Sequence, residues 1–237
     1  MIGARLQQEV DEMTVSNAAM PLRVDIVSDV VCPWCIIGYK QLLKALAELP
    51  GQFELELHWH PFELNPQMPA EGQELREHIA IKYGSTPEQS AGARSRLTEL
   101  GDSLGFSFDY YDGMRMVNTF MAHQLLHWAA ELGKQTPLKL VLFSAFFSQQ
   151  RDVNDTEVLV NAAVEVGLDS DEARAVLTDG RYAEAVRADQ QYWRDQDVAA
   201  VPTFYFQQQY VVPGAQEAET FVRVLQKIQS RGAQAAS

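Results

Sequence analysis

Cys32 and Cys35 are the two cysteines of the chain, separated by Pro33 and Trp34. Thiols at that spacing can form a disulfide with each other, exchange it with a partner, or contribute to a metal site. If a helix begins at the pair, Cys32 is its N-cap and Pro33 its first helical residue, and the amides of Trp34 and Cys35 point back toward the Cys32 sulfur. The helix dipole and those N–H groups favour a thiolate, which makes Cys32 the expected nucleophile. Cys35, a turn into the helix and more buried, is placed to attack a mixed disulfide on Cys32 and release the partner as a thiol. Three other readings compete: an inert buried pair, a redox sensor without turnover, and a zinc site. With no further cysteine, zinc would have to recruit His58 and His60, whose alternate spacing suits one face of a strand rather than a finger motif. Those histidines are read as the polar face of an outer strand, and no metal is expected.

The elements that must hold the pair are written in the flanking sequence. Leu22 to Ser28 alternates Leu22, Val24 and Ile26 against Arg23 and Asp25, the pattern of a strand. From Pro33, apolar residues recur at helical spacing through Leu49 until Pro50-Gly51 stops them. Phe53 to His60 alternates again, so the opening is β-α-β, which normally means a parallel pair joined by a right-handed crossover. A Pro-punctuated loop, 61–69, leads into about 120 residues with almost no strand pattern. Helix starts recur there, at Thr86-Pro87-Glu88-Gln89, Thr136-Pro137 and Asn154-Asp155-Thr156-Glu157. Asn118 to Leu132 and Leu138 to Phe147 read as its buried helices, and Asp171 to Leu177 and Arg181 to Asp195 as amphipathic ones. Strand pattern returns at Val201 to Phe206 and Tyr210 to Val212, joined by a hairpin at Gln207-Gln208-Gln209, and a last helix runs from about Glu217 to Gln229. The fold class is α/β: β-α-β, a large all-helical insertion, then β-β-α.

Composition narrows the function classes. The 237 residues are 46% apolar and 22% charged, as expected of a folded globular chain. A net charge of −13 disfavours a phosphate backbone or an anionic membrane face, so nucleic acid and membrane are not expected partners. The greasiest run, Leu138 to Phe147, is about half a membrane span and contains Lys139. The residues before Met20 lack the basic start and apolar stretch of a secretory signal, so a cytoplasmic location is expected. In that compartment structural disulfides are rare and a close Cys pair is usually catalytic or metal-binding.

Several segments together carry a family resemblance: V-D-I-V-S-D-V-V-C-P-W-C-I-I-G, W-H-P-F-E-L-N-P-Q-M-P, N-T-F-M-A-H-Q-L-L-H-W-A, V-P-T-F and P-G-A-Q. In this order and spacing, over about residues 22–230, the chain resembles the DsbA-like thioredoxin family, in its cytosolic FrnE-type branch. The resemblance implies a thioredoxin domain formed by 21–65 and 197–237 with a helical insertion at 66–196; the polar residues 1–20 lie outside it and are expected to form a flexible arm. It implies thiol-disulfide exchange at Cys32 and Cys35 on protein or peptide dithiols and disulfides, with Pro33 and Trp34 beside the reacting sulfur. It further implies that Val201-Pro202 is a cis peptide next to the cysteines, with Val201 backbone groups pairing to an extended substrate. Ala199-Ala200, Gln207-Gln208-Gln209 and Pro213 depart from the branch's usual loops.

Asn118 matches an Asn near the active site of related glutathione-using isomerases and is the expected supporting residue, with glutathione as a co-substrate but no bound cofactor. Asp25 and Asp29 are candidates for a buried carboxylate that takes the Cys35 proton, Asp29 being read more readily as a solvated loop residue. His123 and His127, four apart, are read as a satisfied polar stripe on a buried helix. The leading function is a protein disulfide reductase or isomerase. The alternatives are a glutathione-dependent isomerase of the hydroxychromene carboxylate type, whose nucleophile position is typically Ser, and a non-enzymatic chaperone or binding module.

Overall fold

A computed structural model describes residues 19–235. The expected arm, 1–20, lies outside them except for its last two residues, and Met20 already belongs to a strand. Strand β1 (Met20–Ser28) leads through a short loop into helix α1 (Pro33–Ala47), and β2 (Phe53–Pro61) returns parallel to β1. Then come β3 (Gln73–Glu74), α2 (Leu75–Tyr83), α3 (Pro87–Ser103), β4 (Arg115–Met116), α4 (Phe120–Glu131) and α5 (Gln135–Phe147). Helices α6 (Thr156–Glu165), α7 (Ser170–Asp179) and α8 (Ala183–Asp195) complete the insertion, and β5 (Thr203–Phe206), β6 (Tyr210–Pro213) and α9 (Ala218–Ala235) close the chain.

The main sheet has the order β2-β1-β5-β6, with β5 antiparallel to both β1 and β6. Alternation along β1 separates two environments. Val24 and Ile26 pair with Phe206 and Phe204, whose rings meet Phe221 of α9. On the same face Trp59 meets Tyr39 of α1. Asp25 and Val27 face the other way, toward Trp193 of α8, whose ring lies 4.6 Å from His60 and 4.8 Å from Tyr205. Helix α1 approaches β5 closely because residue 38 is glycine: a Cβ there would lie 3.0 Å from the Phe204 ring and 3.3 Å from Pro202. Gln41 of α1 accepts from the Ala218 amide and so caps the start of α9, joining the two halves of this layer.

The insertion is helical apart from a two-residue ladder, in which Gln73 pairs with Met116 and Glu74 with Arg115, too short for an alternation to show in sequence. The Thr86 capping box forms as written, and α6 is capped by Asp155, one residue inside the expected start. Asn118 does not join the helix expected from it. Its side chain accepts from the Phe120 amide, and α4 begins two residues later. The hairpin carries Gln207 and Gln208 at left-handed φ of 51° and 55°. Gln207 compensates with its amide, which accepts from the Arg23 N–H and donates to the Pro21 carbonyl.

Candidate active site

Cys32 stands where β1 has ended and α1 begins. It is the N-cap with extended backbone (φ −95°, ψ 111°), Pro33 is the first helical residue, and the Cys35 amide donates to the Cys32 carbonyl at 3.1 Å. The expected capping role of the sulfur differs in the structure: no amide of α1 is hydrogen-bonded to it. The thiol instead donates to the Val201 carbonyl at 3.6 Å. That carbonyl belongs to the Val201–Pro202 peptide, which is cis, and the carbonyl of Pro202 accepts from the Gly214 amide. Cys32, Cys35, Pro33, Val201 and Pro202 thus come together, with Trp34 about half exposed beside them (47%).

Both sulfurs are free thiols, Cys32 4% exposed and Cys35 fully buried. Burial and the adjacent Cys32 sulfur push the Cys35 thiol well above its ordinary value, opposed by the Lys139 ammonium and by a backbone group of Asp29. Cys35 is therefore a poor nucleophile until a reaction at Cys32 changes its surroundings.

Asp29 corrects the sequence reading. It is not solvated but fully buried, because groups from the segment after β2 and from α4 bond its carboxylate. It accepts from the Leu64 amide at 2.8 Å and lies 3.3 Å from His123 Nε2, while its backbone carbonyl accepts from the Cys32 amide. Burial alone would raise its pKa; His123 and the Leu64 amide outweigh this and hold it below the usual carboxylate range. His123 also lies 3.1 Å from the Phe62 carbonyl, so from the insertion it ties the β1–α1 loop to the segment after β2. Lys82 strengthens the segment after β2 by donating to the Leu64 carbonyl and Asn65 Oδ1.

Two expected residues sit elsewhere. Asp25 is buried on the sheet face opposite α1, bonded to Arg23 and to His60 Nε2 at 2.9 Å, and so is not the group beside the Cys35 proton. The alternation of β1 dictates this, since Val24 and Ile26 occupy the face toward α1. Asn118 bonds Phe120 and the Met68 carbonyl, supporting a loop rather than meeting the sulfurs. His58 pairs with Glu56, and His60 lies largely buried between Asp25 and Asp189 instead of on an open polar face. Neither histidine converges on the cysteines, and among the described residues no cluster of metal-ligating side chains forms. His127 lies against the Tyr182 ring.

The residue missed from the sequence is Lys139. It is 1% exposed within α5, with its ammonium 5.4 Å from the Trp59 ring and 5.2 Å from that of Phe143. Burial pushes its pKa down to about 8 while Cys35, Asp29 and Cys32 hold it up. Its signal was a single charge in a helix apolar on every side, a position that has no solvent face to offer.

The chain is similar in sequence and fold to known proteins. The chain is 36% identical to a probable DsbA oxidoreductase, SCO1869, of Streptomyces coelicolor, with 88% of this chain and 90% of that one covered at a TM-score of 0.83. It is 25% identical to YwbO, an uncharacterized protein of Bacillus subtilis (strain 168), over 90% of this chain and all of that protein. The cytosolic disulfide reductase DsbM of Pseudomonas aeruginosa, also solved with GSH, shares the fold at 19% identity and a TM-score of 0.59, covering 88% of this chain and 98% of its own. The model of the DSBA-like thioredoxin domain matches residues 23–226, and the chain belongs to that family.

Proposed function

We propose that this chain is a protein thiol-disulfide oxidoreductase of the FrnE type, in which Cys32 is the attacking sulfur and Cys35 the resolving one. The observation that carries this reading is the asymmetry of the pair. Cys32 lies at the helix start against the Val201 carbonyl, while Cys35 is sealed one turn behind it. The Cys32 thiolate attacks a substrate disulfide and releases one substrate sulfur, leaving a mixed disulfide. Cys35 then attacks Cys32, the second substrate sulfur leaves, and the protein holds the disulfide. Pro33 and Trp34 border the sulfur on one side, and Val201 and Pro202 on the other, where Val201 backbone groups position an extended peptide.

Glutathione is the proposed co-substrate that returns the pair to the dithiol, a reading supported by the fold shared with DsbM, which has been solved with GSH. No helix among the described residues is long and apolar enough to cross a membrane, and the cytoplasm is the proposed compartment. There a glutathione pool keeps such a pair largely reduced, so net reduction or isomerisation is the proposed direction. The isomerase and chaperone alternatives give no task to a second, buried thiol. Insulin reduction coupled to glutathione tests the reading: turnover that disappears in Cys32→Ser supports it, and equal turnover in that variant overturns it.

A further inference from the structure

Lys139 is an anomaly in packing terms. Leu138, Leu142, Phe143 and Ala145 around it on α5 are fully buried, and an apolar side chain would fill its place without taking a charge out of water. The charged neighbours explain where the charge is used. From the β1–α1 loop come Asp29 and Cys32, and from α1 comes Cys35, with the Tyr39 phenol against Trp59. On its other side Lys139 lines a cavity of about 170 Å³ whose walls include His58 and His60 of β2, His123 and His127 of α4, and Asp189 of α8. That space has polar groups on its walls beside apolar ones and is large enough to admit several waters. Lys139 thus has the buried sulfurs among its neighbours and also lines a cavity that reaches the histidines of β2 and α4.

We propose that Lys139 is a positioning residue for the resolving step: from the insertion, it holds the charge that Cys35 must develop and opens a proton route to the rear cavity. This rests on the reading of Cys35 as the resolving thiol. In that step the Cys35 sulfur gives up its proton to solvent and attacks the Cys32 sulfur of the mixed disulfide. The Cys32–Cys35 bond forms, the bond from Cys32 to the substrate sulfur breaks, and the substrate leaves as a thiolate with the electron pair. The protein pair is oxidised by two electrons and the substrate disulfide is reduced by two. Without Lys139, the developing thiolate would meet the Asp29 carboxylate across a dry interior, two like charges with His123 and the Leu64 amide already committed to Asp29. The depressed pKa of Lys139, about 8, also lets this ammonium exchange its proton near neutral pH.

The test is stopped-flow release of a thiol reporter from the preformed Cys32 mixed disulfide, followed against pH in the parent and in Lys139→Met, which keeps an unbranched side chain one atom shorter and removes its charge. The expected result is a midpoint raised by about one pH unit in the variant, equivalent to about tenfold slower release at neutral pH. The pH profile of mixed-disulfide formation, measured in a Cys35→Ser background, should move less. A parent that resolves normally beside a Lys139→Met with the same midpoint overturns the proposal alone. A parent that never releases the reporter overturns both the proposal and the assignment of Cys35. A second measurement needs no variant: by reciprocity, the NMR titration of the Lys139 side chain should shift down when the dithiol is oxidised, because the disulfide carries no thiolate to hold the ammonium. Identical titrations in the two forms overturn the proposal.

Discussion

Replacing Asp25 with Asn should lower stability while leaving thiol chemistry intact. Asp25 is 1% exposed and receives two bonds from Arg23 and one from His60, which together overcome the cost of burial and bring its pKa from 3.8 to about 2. At 1.36 kcal/mol per pKa unit that difference corresponds to about 2 kcal/mol. The Arg23 side chain is 37% exposed and its contribution is screened, so about 1–2 kcal/mol is expected for the variant at pH 7. The sign follows from the depressed pKa. The contribution is complete above 3.8, the unfolded value, and is lost as pH falls through about 2, so the gap between parent and variant should narrow below pH 4. Urea denaturation from pH 7 to pH 3 measures it. A gap that stays constant across this range, or is absent at pH 7, would refute the ionic account of Asp25. Because Asp25 lies on the face away from α1, the pH profile of disulfide exchange per folded molecule should match the parent, and a displaced profile would refute that placement.

Three further outcomes are expected. Cys35→Ser should accumulate a mixed disulfide with oxidised glutathione on Cys32, and Cys32→Ser should trap little because Cys35 is sealed and its thiol is pushed up; equal trapping by mass spectrometry would contradict the roles. His60 should titrate above 6.5 by NMR: burial opposes its charge, but Asp189 and Asp25 outweigh that, so its stabilisation is full below 6.5 and fades as pH rises through the folded midpoint. A midpoint below 6.5 would contradict this balance. Gly38→Ala should lower stability by about 1–3 kcal/mol in thermal or urea unfolding, since the new methyl would press on Phe204 and Pro202; an unchanged variant would mean that α1 moves aside freely.

What could be read from the sequence was whatever local pattern determines. Alternation from Leu22 and from Phe53 gave the parallel pair, and Pro33 with Pro50-Gly51 bounded α1 within a few residues. The spacing of Cys32 and Cys35 pointed to the chemistry, and the resemblance added the Val201–Pro202 segment, which the structure brings to the Cys32 sulfur. The rest depended on partners distant in the chain. Asp29 looked solvated because its bonds come from Leu64 and His123, and His60 looked like an outer polar residue because Asp189 arrives from α8 to cover it. Asp25 could be placed on a face by alternation, but only packing shows that α8, rather than α1, covers that face. Lys139 was legible as an oddity and not as a neighbour of the sulfurs, since α5 meets α1 only through tertiary packing.

Whether Cys32 and Cys35 form one reversible redox couple is decided by equilibrating the protein against reduced and oxidised glutathione and counting free thiols after acid quenching. A single two-electron transition from two thiols to none is expected, with about 30 mV per tenfold change in the ratio of disulfide to dithiol and an internal Cys32–Cys35 disulfide as its product. Thiols that persist at every ratio, or glutathione stably retained on Cys32 with Cys35 still free, would contradict it.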